Sequence, residues 1–431
     1  MVGSYDQAMQ MAGALLREVG EALPSRQLGL VSQIARSRLL PSRPPPADAA
    51  GHYRLLRVLS DAFTWMDPPL GVYLHSRALA LARELGDAEA LVESYAVEAG
   101  MVAFGRGGEA LATLEARLTA LATAPREQAE AALHLTRGLR HLVEGSWDAA
   151  VRELRGHGMR AELAHPGDRR PEMVARFYEF EGLFRQGRLL ELRAALLPHL
   201  ARARSRDEVA VLAFHAVQGA FAALTVGDPD GARALLEDVE RRLRARASPW
   251  TREMADSFLL VARAVVALYE GEGERAWELH GEAMGRAVRK GVLLLPYWRS
   301  TLLEVRGRCA LAAAVQARGG RRRSLLRAGD RTVGLLRAVG LPWCAPLADS
   351  LAAGLAVSRG QERKALQLHR GAEARFERWG MPLAAAVERW RVGELEGGSA
   401  GAARVADARH RLREAGALVP GRFAAAFAAL L

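Results

Sequence analysis

The stretch Leu133-His134-Leu135-Thr136-Arg137-Gly138-Leu139-Arg140-His141-Leu142-Val143-Glu144-Gly145-Ser146-Trp147-Asp148-Ala149-Ala150-Val151-Arg152-Glu153-Leu154 decides how this chain folds. Leu135, Leu139, Leu142 and Val143 recur at helical spacing and mark the apolar stripe of one helix. Gly145 then offers a residue that enters the left-handed region without a Cβ penalty, so the helix can end there. A second helix follows, with Trp147 and Val151 as apolar anchors and Ala149 and Ala150 small enough for close approach. The predicted unit is a helical hairpin.

The same grammar recurs along the chain. Glycine followed five residues later by alanine occurs at Gly105/Ala110, Gly145/Ala150, Gly227/Ala232, Gly271/Ala276 and Gly360/Ala365, with Gly187/Leu192 as a weaker copy. Successive turns from Gly105 to Gly271 stand 40 to 44 residues apart. The 89 residues from Gly271 to Gly360 hold two steps, with the intervening turn at Gly319-Gly320. One step back from Gly105 lies Trp65, beside the Pro68-Pro69 turn. About eight hairpins result, each burying its apolar face only against its neighbours, which is the signature of a solenoid. No period-2 alternation bounded by hairpin turns stands out, so no sheet is expected. The predicted fold is all-α: an α-solenoid of tetratricopeptide-like helical hairpins with longer helices, wound as a right-handed superhelix.

Residues 1–50 read as N-terminal helices and a Pro-rich loop leading into the array. Helices are expected over 5–23, with Met9, Leu15, Leu16, Val19 and Leu23 as the stripe, and over 27–40. Pro41-Ser42-Arg43-Pro44-Pro45-Pro46 lacks backbone donors and cannot continue a helix. Residues 51–396 hold the array, opening with helices over 52–63, 70–85, 88–104 and 109–121. Residues 397–431 read as a linker at Gly397-Gly398-Ser399-Ala400-Gly401, a helix over 402–415, and an apolar run from Gly421 that caps the final repeat.

Half of the 431 residues are apolar and only 6% aromatic, and Ala, Leu and Arg dominate, a composition that favours helix over strand. The net charge of +11 comes almost wholly from arginine, lysine standing only at 290 and 364. Arginine is interleaved with Glu and Asp on most helices, which reads as solvated helix faces; the densest run is Arg321-Arg322-Arg323. Cys309 and Cys344 stand in apolar context without metal-type spacing, as small hydrophobes in a reducing compartment. The N-terminus shows no secretory pattern, and no run approaches the ~18 apolar residues of a membrane span. A cytoplasmic chain is expected.

Several segments, taken in order, resemble the C-terminal helical region of large bacterial serine/threonine protein kinases that also carry an ATPase domain. They are Tyr73-Leu74-His75-Ser76-Arg77-Ala78-Leu79-Ala80-Leu81-Ala82-Arg83-Glu84-Leu85-Gly86-Asp87, Glu144-Gly145-Ser146-Trp147-Asp148-Ala149-Ala150, Gly340-Leu341-Pro342-Trp343-Cys344-Ala345 and Ala374-Arg375-Phe376-Glu377-Arg378-Trp379-Gly380-Met381-Pro382-Leu383-Ala384-Ala385-Ala386. The resemblance covers nearly the whole chain. It implies the sensor or scaffold part of such a system, with kinase and ATPase domains as partners in cis or in trans.

The chain itself lacks the groups that phosphate transfer needs. There is no His-Arg-Asp, no Asp-Phe-Gly and no Gly-Lys-Ser/Thr, since Lys290 precedes Gly291 and Lys364 precedes Ala365. Gly271-Glu272-Gly273-Glu274-Arg275-Ala276 matches a dinucleotide pattern, but a helix precedes it where a strand is required. Gly397–Gly401 matches a nucleophile-elbow pattern without a strand or triad partners. His134 and His141 stand two helical turns apart, too far for one ion, and His157 and His165 flank a loop. No catalytic, cofactor-binding or metal-ligating residue is therefore assigned. Trp65, Trp147, Trp250, Trp277, Trp298, Trp343, Trp379 and Trp390 cluster near turns and helix starts, as fillers between hairpins or as hot spots on the concave face.

The expected function is a non-catalytic scaffold or sensor module that binds a protein or peptide along its concave face. The alternative is a small-molecule-sensing helical region of a large signalling or transcription regulator. Nucleic acid and membrane are not expected partners.

Overall fold

A computed structural model describes residues 5–23, 48–103, 107–121, 126–164, 170–246, 249–289, 293 and 296–428. The expected helix over 27–40 and the Pro41–Pro46 segment lie outside the described residues. Among those described, 21 helices occur and no strand. Helix α1 (Tyr5–Glu18) stops short of the expected 5–23, at a turn containing Gly20 (φ 73°).

Nine hairpins follow. They pair α2 (Ala49–Met66) with α3 (Pro68–Leu85), α4 (Ala88–Ala103) with α5 (Gly107–Thr119), and α6 (Arg126–Glu144) with α7 (Trp147–Ala164). Next come α8 (Arg170–Arg185) with α9 (Leu189–Ser205), and α10 (Val209–Phe214) and α11 (Ala216–Thr225) with α12 (Pro229–Arg246). The last four pair α13 (Pro249–Tyr269) with α14 (Gly273–Arg289), α15 (Pro296–Gln316) with α16 (Gly319–Arg337), α17 (Cys344–Val357) with α18 (Glu362–Arg378), and α19 (Pro382–Glu396) with α20 (Gly398–Glu414). Each helix packs mainly on its neighbours in sequence, so the architecture is an α-solenoid. A short helix, α21 (Pro420–Ala428), completes the chain.

The turns form as the glycine spacing requires. Gly145, Gly187, Gly227, Gly271 and Gly360 all hold φ between 70° and 80°. At each, the residue after the glycine donates its N–H back to a carbonyl near the end of the preceding helix: Ser146 to His141 (2.8 Å), Glu272 to Ala267 (2.8 Å), Gln361 to Ala356 (2.9 Å). This is the Schellman closure, which satisfies carbonyls that a helix end leaves orphaned. The first hairpin turns differently: Asp67 caps α3 through Leu70 N–H (3.2 Å), and Pro68 takes the first helical position.

The structure adds a ninth hairpin where the sequence suggests a linker. Gly397 (φ 64°) ends α19 and Gly398 already begins α20, so Gly397–Gly401 is a turn and a helix start. Gly401 faces Gly393 so closely that a Cβ on it would lie 2.3 Å from the Gly393 carbonyl oxygen. Two glycines are thus the condition for that helix crossing.

The array also winds back on itself after five hairpins. α2 touches α13, and α8 touches α19. The Trp147 indole N–H donates to the Trp379 carbonyl at 2.7 Å, and its ring meets Trp343 edge-on at 5.5 Å. Leu418 N–H donates to the Thr225 carbonyl at 2.7 Å. The turns at Gly145, Gly187 and Gly227 are pressed against Trp379, Leu383 and Val419 respectively.

Two turns therefore separate conformational from packing cost. A Cβ at Gly360 (φ 70°) meets nothing within 4 Å, whereas one at Gly145 (φ 78°) would lie 2.9 Å from the Trp379 ring. Gly360→Ala is expected to cost about 1–2 kcal/mol from the left-handed backbone alone. Gly145→Ala adds overpacking and is expected to cost about 2–4 kcal/mol. Denaturant midpoints that rank the two equally would show that the contact with Trp379 contributes nothing.

Candidate functional site

The two helices of each hairpin play different roles. The second helices bury one stripe, at the fifth, ninth, twelfth and sixteenth residues after the turn glycine: Ala232, Leu236, Val239 and Leu243 in α12, and Ala365, His369, Ala372 and Phe376 in α18. The first helices are buried on more than one side; α13 buries Leu259 through Ala262 and Ala264 through Tyr269 without a break in phase. A helix apolar all round belongs inside, and these line the interior of the winding.

Helix α8 supplies four aromatic side chains to the interior, Phe177, Tyr178, Phe180 and Phe184. Tyr178 meets Tyr297 at 5.5 Å and Phe177 meets Trp298 at 4.9 Å, so hairpins four and seven touch across the interior. This density of aromatics within eight residues, in a chain 6% aromatic, is the sequence signal that marks the interior, and sequence reasoning passed over it.

Part of the interior is occupied by α21. The sequence places the apolar run from Gly421 as a cap on the final repeat. Helix α21 does meet that repeat, at α19 and α20, and it also turns inward across α13, α15 and α17, so it spans the first helices of hairpins six to nine. Phe423 and Phe427 stack on each other at 4.3 Å. Phe427 also meets Phe221 at 4.8 Å and lies under the Arg308 guanidinium at 4.7 Å. Phe423, Ala424 and Ala426 are buried.

The floor beneath α21 is charged. Arg185 of α8 donates to Glu181 at 2.8 Å and to Glu304 of α15 at 3.3 Å, and Arg308 pairs with Glu304 one turn away. Burial works against the charge on Arg185, but Glu304 and Glu181 outweigh it and its pKa is raised. For Glu304, burial is likewise outweighed, by Arg308 and Arg185, and the carboxylate is held below its usual range. For Arg308, burial prevails over Glu304, with Arg185 adding to it, so its pKa is lowered and it is the less compensated of the two cations. Beside them Glu388 of α19 accepts from Ser350 (2.5 Å) and lies 2.6 Å from His369 Nδ1. A cavity of about 40 Å³ is lined by Arg185, Glu304, Arg308, Phe423 and Phe427. That is room for a water molecule or two.

A second, open cleft of about 490 Å³ lies where hairpins three and four meet eight and nine, between Asp148, Arg188, Glu377, Arg389 and Arg411. Its charges are paired within the chain: Arg188 with Asp148 (3.4 Å), Arg389 with Glu377 (3.2 Å) and Arg411 with Asp407 (3.0 Å).

The features singled out in the sequence fall as follows. Gly271–Ala276 is a hairpin turn, where Gln316 of α15 donates to the Gly271 carbonyl and accepts from Glu274 N–H. Gly273 permits the crossing, since a Cβ there would lie 2.4 Å from the Ala312 carbonyl carbon. His134 lies 2.7 Å from Glu153, while His157 donates to the Ala131 carbonyl at 2.8 Å; His165 lies outside the described residues. No group of His, Cys, Asp and Glu among the described residues has the geometry to hold a metal. Within the basic run, Arg321 pairs with Glu274 and Arg322 donates to the Ser358 carbonyl. Cys309 and Cys344 are buried free thiols whose pKa burial raises to about 12. Trp147, Trp343 and Trp390 are buried; the side chains of Trp65 and Trp250 lie outside the described part.

Buried histidines recur in the stripe of the second helices: His157 and His199 at the twelfth position after the turn glycine, His280 and His369 at the ninth. Burial, aided by Arg306, lowers the pKa of His280 to about 3. Burial, aided by His199, lowers that of His215, in the break between α10 and α11, to about 3. Between pH 3 and 6.5 the unfolded chain therefore binds more protons at these sites than the folded one. Their neutral burial costs nothing above pH 6.5, and stability falls as the pH drops below it. At pH 5 each is expected to remove about 2 kcal/mol relative to pH 7. A His280→Leu chain should show a smaller fall in urea midpoint between pH 7 and 5 than the parent; equal falls would contradict this reading.

None of the helices among the described residues is long and apolar enough to cross a membrane. No protein-family model matches the chain, and no curated protein matches it in sequence.

Proposed function

We propose that the chain is a non-catalytic interaction module, a divergent tetratricopeptide-type array wound as a right-handed superhelix, that binds a protein segment along the inner face of hairpins six to nine. It would act in the cytoplasm as the sensor or scaffold part of a bacterial serine/threonine-kinase system. The observation that carries this is α21: the inner face already holds a helix, seated by two aromatic side chains across four repeats. Helix-in-groove recognition uses this arrangement of apolar anchors. The test is photo-crosslinking from a benzophenone amino acid at Ser350 in the full chain. Crosslinks to one protein, located on one helical segment of it, are expected; a folded chain whose only crosslinks are internal overturns the reading.

A second reading is favoured by the charged floor. Two guanidinium groups and three carboxylates converge under α21, chemistry suited to a small polar ligand. The 40 Å³ cavity is too small for a metabolite, so this reading requires α21 to move. A thermal-shift screen of metabolites against the full chain separates the two.

A further inference from the structure

The contact between α21 and its groove combines a charged floor with a cavity. Elsewhere the interior holds aromatic contacts, as where Tyr178, Tyr297 and Trp298 meet, and buried polar pairs, such as His75 with Glu98. Under α21 it is floored by Arg185, Glu304, Arg308 and Glu388, and a cavity remains. Buried ion pairs contribute little to a permanent core, where apolar residues of similar volume serve as well or better. They suit a surface that is wetted part of the time.

The helix is also short. It has nine residues, fewer than the ~12–15 that a helix needs to persist alone, so its form depends on docking. The chain reaches it through Gly416 (φ 106°), and Leu418 and Val419 on the way remain exposed. Only Phe423 and Phe427 supply bulk; Ala424, Ala425 and Ala426 between them allow close approach.

We infer that α21 is a displaceable internal ligand, and that the groove exchanges it for an amphipathic helix of a partner protein. That helix carries two aromatic side chains four positions apart, small residues between them, and an acidic side chain for Arg308. The aromatic pair is read from the resident Phe423 and Phe427. The acid follows from Arg308, which pairs with Glu304 and stacks on the Phe427 ring. Loss of that ring leaves a guanidinium facing the groove. The inference rests on the peptide-binding reading above and adds the occupant and its regulation: the C-terminus holds the site shut until a competitor arrives.

The probe is a fluorescein-labelled peptide of residues 415–431, titrated by anisotropy into the full chain. A Phe423→Ala/Phe427→Ala chain is expected to bind it at least tenfold more tightly than the parent. The peptide carries no acidic side chain, so adding Arg308→Met, which removes only the stacking on Phe427, should reverse part of that gain, and a peptide with both phenylalanines replaced by alanine should not bind. Equal or weaker binding by the double variant, with its circular dichroism unchanged, overturns the inference. Hydrogen exchange of the unmodified chain decides independently of any variant. Amides of 420–428 should exchange at least a hundredfold faster than those of α19, and equal protection overturns displacement. Sedimentation of the unmodified chain covers the remaining occupant: a dimer that disappears in the double variant means a second copy fills the groove, which overturns assignment to a different protein. Crosslinking from Ser350 can succeed while α21 proves static, so failure here is distinguishable from failure of the binding reading.

Discussion

Glu304→Gln is expected to destabilise the chain by about 3–5 kcal/mol, one of the two largest effects of any single substitution proposed for it. Glu304 is the shared anion of the floor: both Arg185 and Arg308 pair with it, and all three side chains are at most 14% exposed. The amide keeps the shape and removes the charge. Arg185 retains Glu181, but Arg308 is left with no carboxylate of the described residues within ion-pair distance, in a site where burial already lowers its pKa. Arginine does not shed its proton to escape, so the cost falls on folding. The companion is the triple change Arg185→Met, Glu304→Leu and Arg308→Met made in a Glu181→Gln background, which removes the three charges of the floor together with the carboxylate that Arg185 otherwise pairs. It is expected to fold with stability close to the parent or above it, because desolvation is then no longer incurred. Guanidinium midpoints measure both. Glu304→Gln within 1 kcal/mol of the parent would mean that water reaches the floor freely with α21 in place. A marginal loss in the triple variant, with peptide exchange abolished, would locate the value of the charged floor in exchange.

The contrast between the legible and the illegible parts of this fold has a physical basis. The hairpins could be read because each turn poses local demands. A positive φ calls for glycine, and five residues on, the second helix meets its neighbours at a position where Ala150, Ala232, Ala276 and Ala365 are all fully buried. Both demands are met within a dozen residues, so spacing reveals them. The winding could not be read, since it depends on a small rotation per hairpin accumulated over five. Trp147 illustrates this: from its neighbours it is an anchor of α7, yet its indole N–H is satisfied 232 residues away. Gly393 and Gly401 make the same point, since a paired requirement across a crossing reads as a loop when one glycine is viewed alone. The interior site suffers most, because Arg185, Glu304, Arg308, Glu388 and Phe427 come from four different helices. On composition alone the charged ones read as solvated faces. Only the aromatic density of α8 gave a local signal.

Trp147→Ala carries the other large effect, about 3–5 kcal/mol. The side chain is 3% exposed and wedged between hairpins three and eight. Truncation removes its contact with Trp343 and leaves the Trp379 carbonyl without its indole donor. It does so where the array closes, so the missing volume cannot be refilled by the neighbouring hairpins, whose positions are fixed by their own turns. Trp147→Phe keeps most of the ring and loses the donor, and is expected to cost about 1–3 kcal/mol. Trp277→Ala is the control, a half-buried tryptophan stacked on Arg306 at 4.3 Å rather than across the closure. The discriminating measurement is the shape of the chain as well as its midpoint. If the Trp147–Trp379 contact holds the winding closed, small-angle scattering should show a larger radius of gyration for Trp147→Ala than for Trp277→Ala at matched stability. The labelled C-terminal peptide should then also bind Trp147→Ala more tightly than the parent, because opening the winding spreads the first helices that grip α21. A Trp147→Ala chain that is less stable yet unchanged in radius and peptide affinity would reduce the tryptophan to a space-filler and leave the groove's width to the hairpin turns alone.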